Sequence, residues 1–125
     1  MCSHLLSQSK QFSLFEVGCG VGNAFFPLCA KYPTLQLYAC DFAKSAVDII
    51  HVRFESHHHK QKSPDFDSTR MVVWQADLVK DDIRDKVPSE GCDFLLILFV
   101  LSAVNPQNMD LFMEHALHVV VVPSN

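Results

Sequence analysis

The sequence predicts a doubly wound α/β fold with a parallel sheet, and three observations carry that reading. Short apolar runs alternate with segments whose apolar residues recur at helical spacing; three of the four glycines crowd one junction between strand and helix; and acidic residues close the next two apolar runs. Strands that alternate with helices become parallel neighbours joined by right-handed crossovers.

The elements follow in order. Ser13-Leu14-Phe15-Glu16-Val17-Gly18 is a short apolar run ending in glycine, a first strand. Residues 24–31 form a helix that Tyr32-Pro33 closes, because the residue before a proline is driven out of the helical region. Leu35 to Asp41 is the second strand, after which Ala46, Val47, Ile49, Ile50 and Phe54 recur as one face of a helix. A polar loop, His57 to Asp67, precedes a third strand over Met71 to Asp77, which is rich in β-formers and ends on a carboxylate. Asp81 to Val87 forms a short helix and Pro88 to Gly91 a turn. Phe94 to Val100 is a continuous apolar run, as expected of a central strand covered on both faces. Asn105-Pro106 starts a last helix over Asn108 to Val120, and the predicted domain spans 13–122, between an N-terminal segment 1–12 and a tail 123–125.

Bulk properties narrow the function. A chain of 125 residues that is 49% hydrophobic buries a core without needing disulfide or metal staples. The five cysteines include no C-x-x-C pair, so they read as reduced, mostly buried thiols. The longest apolar stretch, Phe94 to Val104, is too short to cross a bilayer, which takes about 20 residues. The start lacks the pattern of a secretory signal, so the expected location is cytoplasmic, with no membrane partner. A formal charge of −4 provides no general attraction to phosphate.

The glycines carry the chemistry. Gly18, Gly20 and Gly22 lie within five residues, in Glu16-Val17-Gly18-Cys19-Gly20-Val21-Gly22-Asn23. A turn that lets backbone approach a ligand needs residues without Cβ and with freedom at positive φ. The dinucleotide fingerprint G-x-G-x-x-G fails at Asn23, and no phosphate-binding Gly-Lys-Ser/Thr follows. Asp41 stands 23 residues after Gly18 at the end of the second strand, where a carboxylate can accept both hydroxyls of a ribose. Asp77 ends the third strand, placed to meet the exocyclic amine of an adenine while Leu78 packs on the ring. Either carboxylate alone could instead be a helix cap; their succession behind a glycine turn points to a nucleoside-type ligand.

The run from Glu16 to Asn23 resembles the first signature of class I S-adenosylmethionine-dependent methyltransferases. The chain more closely resembles the methyltransferase-like enzymes that make 3-methylcytidine in the anticodon loop of transfer RNA. The matching stretches are Gly18 to Asn23 with Phe26-Pro27-Leu28, Tyr38-Ala39-Cys40-Asp41-Phe42, Asp77-Leu78 with Lys80-Asp81-Asp82, and Phe99-Val100-Leu101-Ser102-Ala103-Val104. The resemblance implies a Rossmann-like sheet and S-adenosylmethionine as cofactor. It implies that Gly18 and Gly20 contact the methionine moiety, Asp41 the ribose, Asp77 and Leu78 the adenine, that Leu98 lines the pocket, and that Ser102-Ala103-Val104 lie near the methyl. The implied partners are a transfer RNA substrate and a protein such as a transfer-RNA synthetase. Ala43 stands where the family usually has Ser, and the run His57 to Lys62 is an insertion.

Methyl transfer to a ring nitrogen needs alignment more than acid–base groups, so no catalytic constellation is expected. His57-His58-His59 with Lys60 and Lys62 reads as a solvated surface loop, and His115 and His118 as partly exposed helix residues, so no metal site is expected. Cys19 reads as a small packing residue, and Trp74 and most of the phenylalanines as core rather than base-stacking platforms. A nicotinamide oxidoreductase shares the strand–glycine–helix logic but is disfavoured by Asn23 and by the Asp77-Leu78 pair. The remaining alternative is a truncated, non-catalytic relative that binds the cofactor or another protein. Only about four strands fit, fewer than the roughly six of a full doubly wound sheet. The fold is therefore expected to be incomplete, the cofactor-binding half of a larger enzyme.

Overall fold

The computed structural model describes residues 11–58, 68–97 and 104–119. Among them four strands form one sheet: β1 (Phe12–Val17), β2 (Leu35–Asp41), β3 (Met71–Gln75) and β4 (Phe94–Ile97), in the order β3-β2-β1-β4 with every pairing parallel. The helices are α1 (Phe25–Lys31), α2 (Lys44–His58) and α3 (Met109–Leu117).

Side chains on a strand alternate between faces, so one sheet supports two cores. Leu14, Leu35, Leu37, Ala39, Met71 and Val73 face one way and are covered by α1 and α2 through Phe25, Phe26, Cys29, Val47 and Ile50. Phe15, Val17 and Cys40 face the other way, against Phe112 and Ala116 of α3, with Val119, Leu78 and Ile83. Burying a side chain such as Phe15 or Leu37 contributes about 2 to 3 kcal/mol, so these two layers hold the strand ends in register. Trp74 stacks on Phe15 with ring centroids 5.7 Å apart, a core role as expected.

Several boundaries differ from the sequence reading. β3 stops at Gln75, so Asp77 lies in the turn beyond the strand rather than at its end. Helix α2 runs through His58, taking in His57 and His58, which were expected in the loop. The helix expected over Asp81 to Val87 is a single 3₁₀ turn, Arg84–Lys86. The last helix is preceded by another such turn, Pro106–Asn108, which the Asn105 side chain caps by accepting the Gln107 N–H. Among the described residues β4 pairs only with β1, and β1 and β2 are the central pair. The expected positions Leu98, Ser102, Ala103, His59, Lys60 and Lys62 lie outside the described residues, as does the end of the run to Val100.

Arg70 closes the β2 side of the first core. Its guanidinium donates to the carbonyls of Cys29, Tyr32 and Leu35 at 3.0 to 3.1 Å, joining the last turn and C-cap of α1 to the first residue of β2. Among the described residues no helix is long and apolar enough to cross a membrane.

Candidate functional site

Parallel strands deliver all their carboxyl ends to one edge of the sheet, and there the chain leaves a cleft of about 670 Å³, within the usual range for small ligands. Gly18, Gly20, Asp41, Asp77 and Leu78, all named from the sequence, line it together, as does Val104.

The glycine turn forms the first wall. Gly18, Gly20 and Gly22 have φ of 74°, 56° and 97°, a region that side chains enter only with strain. The backbone of Gly18 and Cys19 is hung from the Cys40 carbonyl at 2.8 and 3.1 Å, which ties the turn to the end of β2. The glycines have different reasons to be glycine. A Cβ on Gly22 would stand 2.4 Å from two atoms of the Phe26 ring, so packing excludes it. A Cβ on Gly20 would meet nothing within 4 Å, and Gly20 lines the cleft: the space in front of it is open cleft.

Asp41 ends β2, as expected. Its Oδ2 accepts the Gly20 N–H at 2.8 Å, and its Oδ1 accepts the Ala43 N–H at 2.9 Å just ahead of α2. Asp77 accepts the Val79 N–H through Oδ1 at 2.9 Å, and its own N–H donates to Asp81. Capping and ligand binding, weighed as alternatives, are compatible: a carboxylate has about four acceptor positions, and these bonds occupy two on Asp41 and one on Asp77. Leu78 is buried in the second core, so its contribution is a floor to the cleft.

Two lining residues escaped the sequence reading as site residues. Glu16, near the end of β1, is 3% exposed and its Oε1 has no hydrogen-bond partner. Burial first, then the nearby Asp41 carboxylate, pushes its carboxyl up to about 7. A buried carboxyl lining a cleft can pair with a positively charged group that enters it. Its signal in the sequence was a lone acid inside an apolar strand. Phe42, next to Asp41, is 72% exposed and lines the mouth of the cleft, its carbonyl held by the Gln75 side chain at 3.2 Å. It is an exception to the expectation that most of the phenylalanines are core, and it offers an apolar face to a flat ring. Its signal was its place directly after the strand-end acid, outside either periodicity.

Cys19 is buried, and burial pushes its thiol up to about 12, which suits packing and not nucleophilic attack. His115 bonds the Leu78 carbonyl, so α3 pins the loop that carries Asp77; His118 is exposed. Among the described residues no three His, Cys, Asp or Glu side chains converge as metal ligands.

The donor set fits an adenosyl amino acid: a turn with open space before Gly20, a buried carboxyl for an ammonium, a strand-end acid for a diol and an exposed aromatic ring. The family described as "Methyltransferase domain" matches residues 15–121. The chain is 38% identical over 108 residues to the human tRNA N(3)-cytidine methyltransferase METTL6, covering 86% of this chain and 34% of that protein. It is 35% identical over 103 residues to METTL2 of Gallus gallus, also named a tRNA N(3)-cytidine methyltransferase, covering 81% of this chain and 25% of that one. The chain thus spans about a third of the length of the first of these relatives and a quarter of the second. Among solved structures, the methyltransferase domain of bacterial CtHen1 superposes with a TM-score of 0.68 at 16% identity over 95% of this chain and 57% of that one. The glycopeptide N-methyltransferase MtfA complexed with sinefungin gives 0.69 at 10% identity, over 96% and 44%.

Proposed function

The chain belongs to the methyltransferase-domain family, and from that membership we propose that its cleft binds S-adenosylmethionine for methyl transfer to N-3 of a cytidine in transfer RNA. The observation that carries the cofactor is the convergence of Glu16, Gly18, Gly20, Asp41, Phe42 and Asp77 on one cleft. The names of the relatives support the nucleotide substrate.

Each residue has a part that follows from its chemistry. Gly18 and Gly20 admit the amino-acid end of the cofactor to the backbone, and Glu16 balances its ammonium. Asp41 accepts from the ribose hydroxyls, Asp77 from the adenine amine, and Phe42 and Leu78 cover the ring. The bound cofactor supplies a sulfonium-activated methyl group. N-3 of neutral cytosine carries its own lone pair, so the chain need not remove a proton before attack; its work is to align the base and exclude water.

Calorimetric titration with S-adenosylhomocysteine should give heat and titration with NAD none; the reverse result would replace the methyltransferase reading with an oxidoreductase. Incubation with labelled methyl donor and transfer RNA, followed by nucleoside analysis, should yield 3-methylcytidine. Label at another position would retain the cofactor and discard the substrate.

A further inference from the structure

The glycine turn has three left-handed residues and no strand ladder of its own, so something else must fix its shape. On the cleft side Asp41 holds the Gly20 N–H. On the outer side the structure places Arg53, from the middle of α2. Its Nη1 donates to the Val21 carbonyl, between the last two glycines of the turn, at 3.0 Å. Its guanidinium carbon lies 4.0 Å from the centre of the Phe26 ring, a cation–π contact. That ring is the one backing Gly22, and the Phe26 N–H also closes onto the Gly22 carbonyl at 3.1 Å. One planar cation therefore grips the turn at a carbonyl and, through Phe26, at its last glycine. Arg53 does not itself line the cleft.

We propose that Arg53 is a positioning residue for the cofactor: without touching the ligand, it holds the glycine turn in the shape that receives the amino-acid end. This rests on the cofactor reading above. The guanidinium suits the task because it can stack flat on a ring and donate from its edge at the same time, which an ammonium cannot do. A turn that occupies its receptive shape only part of the time weakens apparent affinity by that fraction.

The test compares Arg53→Ala, Arg53→Met and Arg53→Lys, all substitutions that a helix interior accepts. Arg53→Ala should weaken S-adenosylhomocysteine binding about tenfold and Arg53→Met about fivefold, with Arg53→Lys recovering part of the loss because it keeps a donor. Hydrogen exchange of the amides from Cys19 to Asn23, measured without ligand, should accelerate in the same order while the thermal midpoint moves little. If the wild-type chain binds S-adenosylhomocysteine and Arg53→Ala binds it equally well with unchanged exchange in the turn, the positioning role is overturned and the cofactor reading stands. If affinity falls only in step with the thermal midpoint and Lys restores nothing, Arg53 is structural. A wild-type chain that binds no S-adenosylhomocysteine overturns the cofactor reading, and the role assigned to Arg53 falls with it.

Discussion

The two ends of the cleft are built on opposite plans. At the glycine end, three residues hold positive φ and a carboxyl is buried with one oxygen unpartnered. Distant parts of the chain brace the turn, Asp41 from β2 and Arg53 from α2. At the Asp77 end the loop satisfies itself: Asp77 caps Val79, its carbonyl accepts from Lys80 and Asp81, and Asp82 pairs with Arg84. The first end carries conformational and desolvation costs; the second holds its shape mostly by local bonds, to which α3 adds the His115 contact with the Leu78 carbonyl. Backbone strain and buried charge are thus gathered at one end of the cleft, where the fold is locally least comfortable.

That contrast can be broken in order of expected effect. Gly22→Val drives a branched side chain into the Phe26 ring at a φ of 97° and should lower the unfolding free energy by about 3 kcal/mol, measured by urea denaturation. Glu16→Gln should alter the pH dependence of stability. The folded carboxyl titrates at about 7 rather than the ordinary 4.5, so the folded chain holds its proton longer than the unfolded one. Its contribution is complete below pH 4.5 and is lost as pH rises toward 7, which amounts to about 3 kcal/mol and disappears in the variant. A cationic ligand group favours the ionised form, so S-adenosylhomocysteine affinity should rise through the same window in the wild type and stay flat in Glu16→Gln.

Asp41→Asn should weaken S-adenosylhomocysteine by about 2 kcal/mol, or thirtyfold, because it loosens Gly20 as well as the ribose, and Asp77→Asn by about 1 kcal/mol; equal losses in calorimetry would erase the asymmetry. Arg84→Ala breaks an exposed pair. Although Arg84 holds the Asp82 carboxyl down to about 2, its loss should leave the melting midpoint unchanged.

Much of this was legible in the sequence, for reasons that can be named. β2 occupies Leu35–Asp41 as read, because its apolar run is bounded by Pro33-Thr34 and by an acid. β3 was read two residues too long because the Asp81 carboxylate takes the Asp77 N–H into a local turn, a competition between side chain and backbone that composition does not reveal. The convergence of Gly18, Gly20, Asp41 and Asp77 was readable because parallel strands put their ends on one edge. Glu16 was missed as a site residue because an acid within a strand has meaning only once both sheet faces are known to be covered. Phe42 was missed because hydrophobicity alone does not separate a core ring from one exposed at the rim of a cleft. Arg53 acts across 32 residues of chain, a separation no local pattern encodes.

The sealed cysteines give the molecule a built-in clock. Cys19, Cys29, Cys40 and Cys92 are buried, and burial lifts the thiols of Cys19, Cys40 and Cys92 above their ordinary range, so reagents that need a thiolate must wait for the fold to open. Because Cys19 sits in the glycine turn and Cys29 in the first core, their modification times should separate breathing of the turn from global unfolding. Mass spectrometry of labelled peptides would read both rates, with S-adenosylhomocysteine expected to slow Cys19 before it slows Cys29.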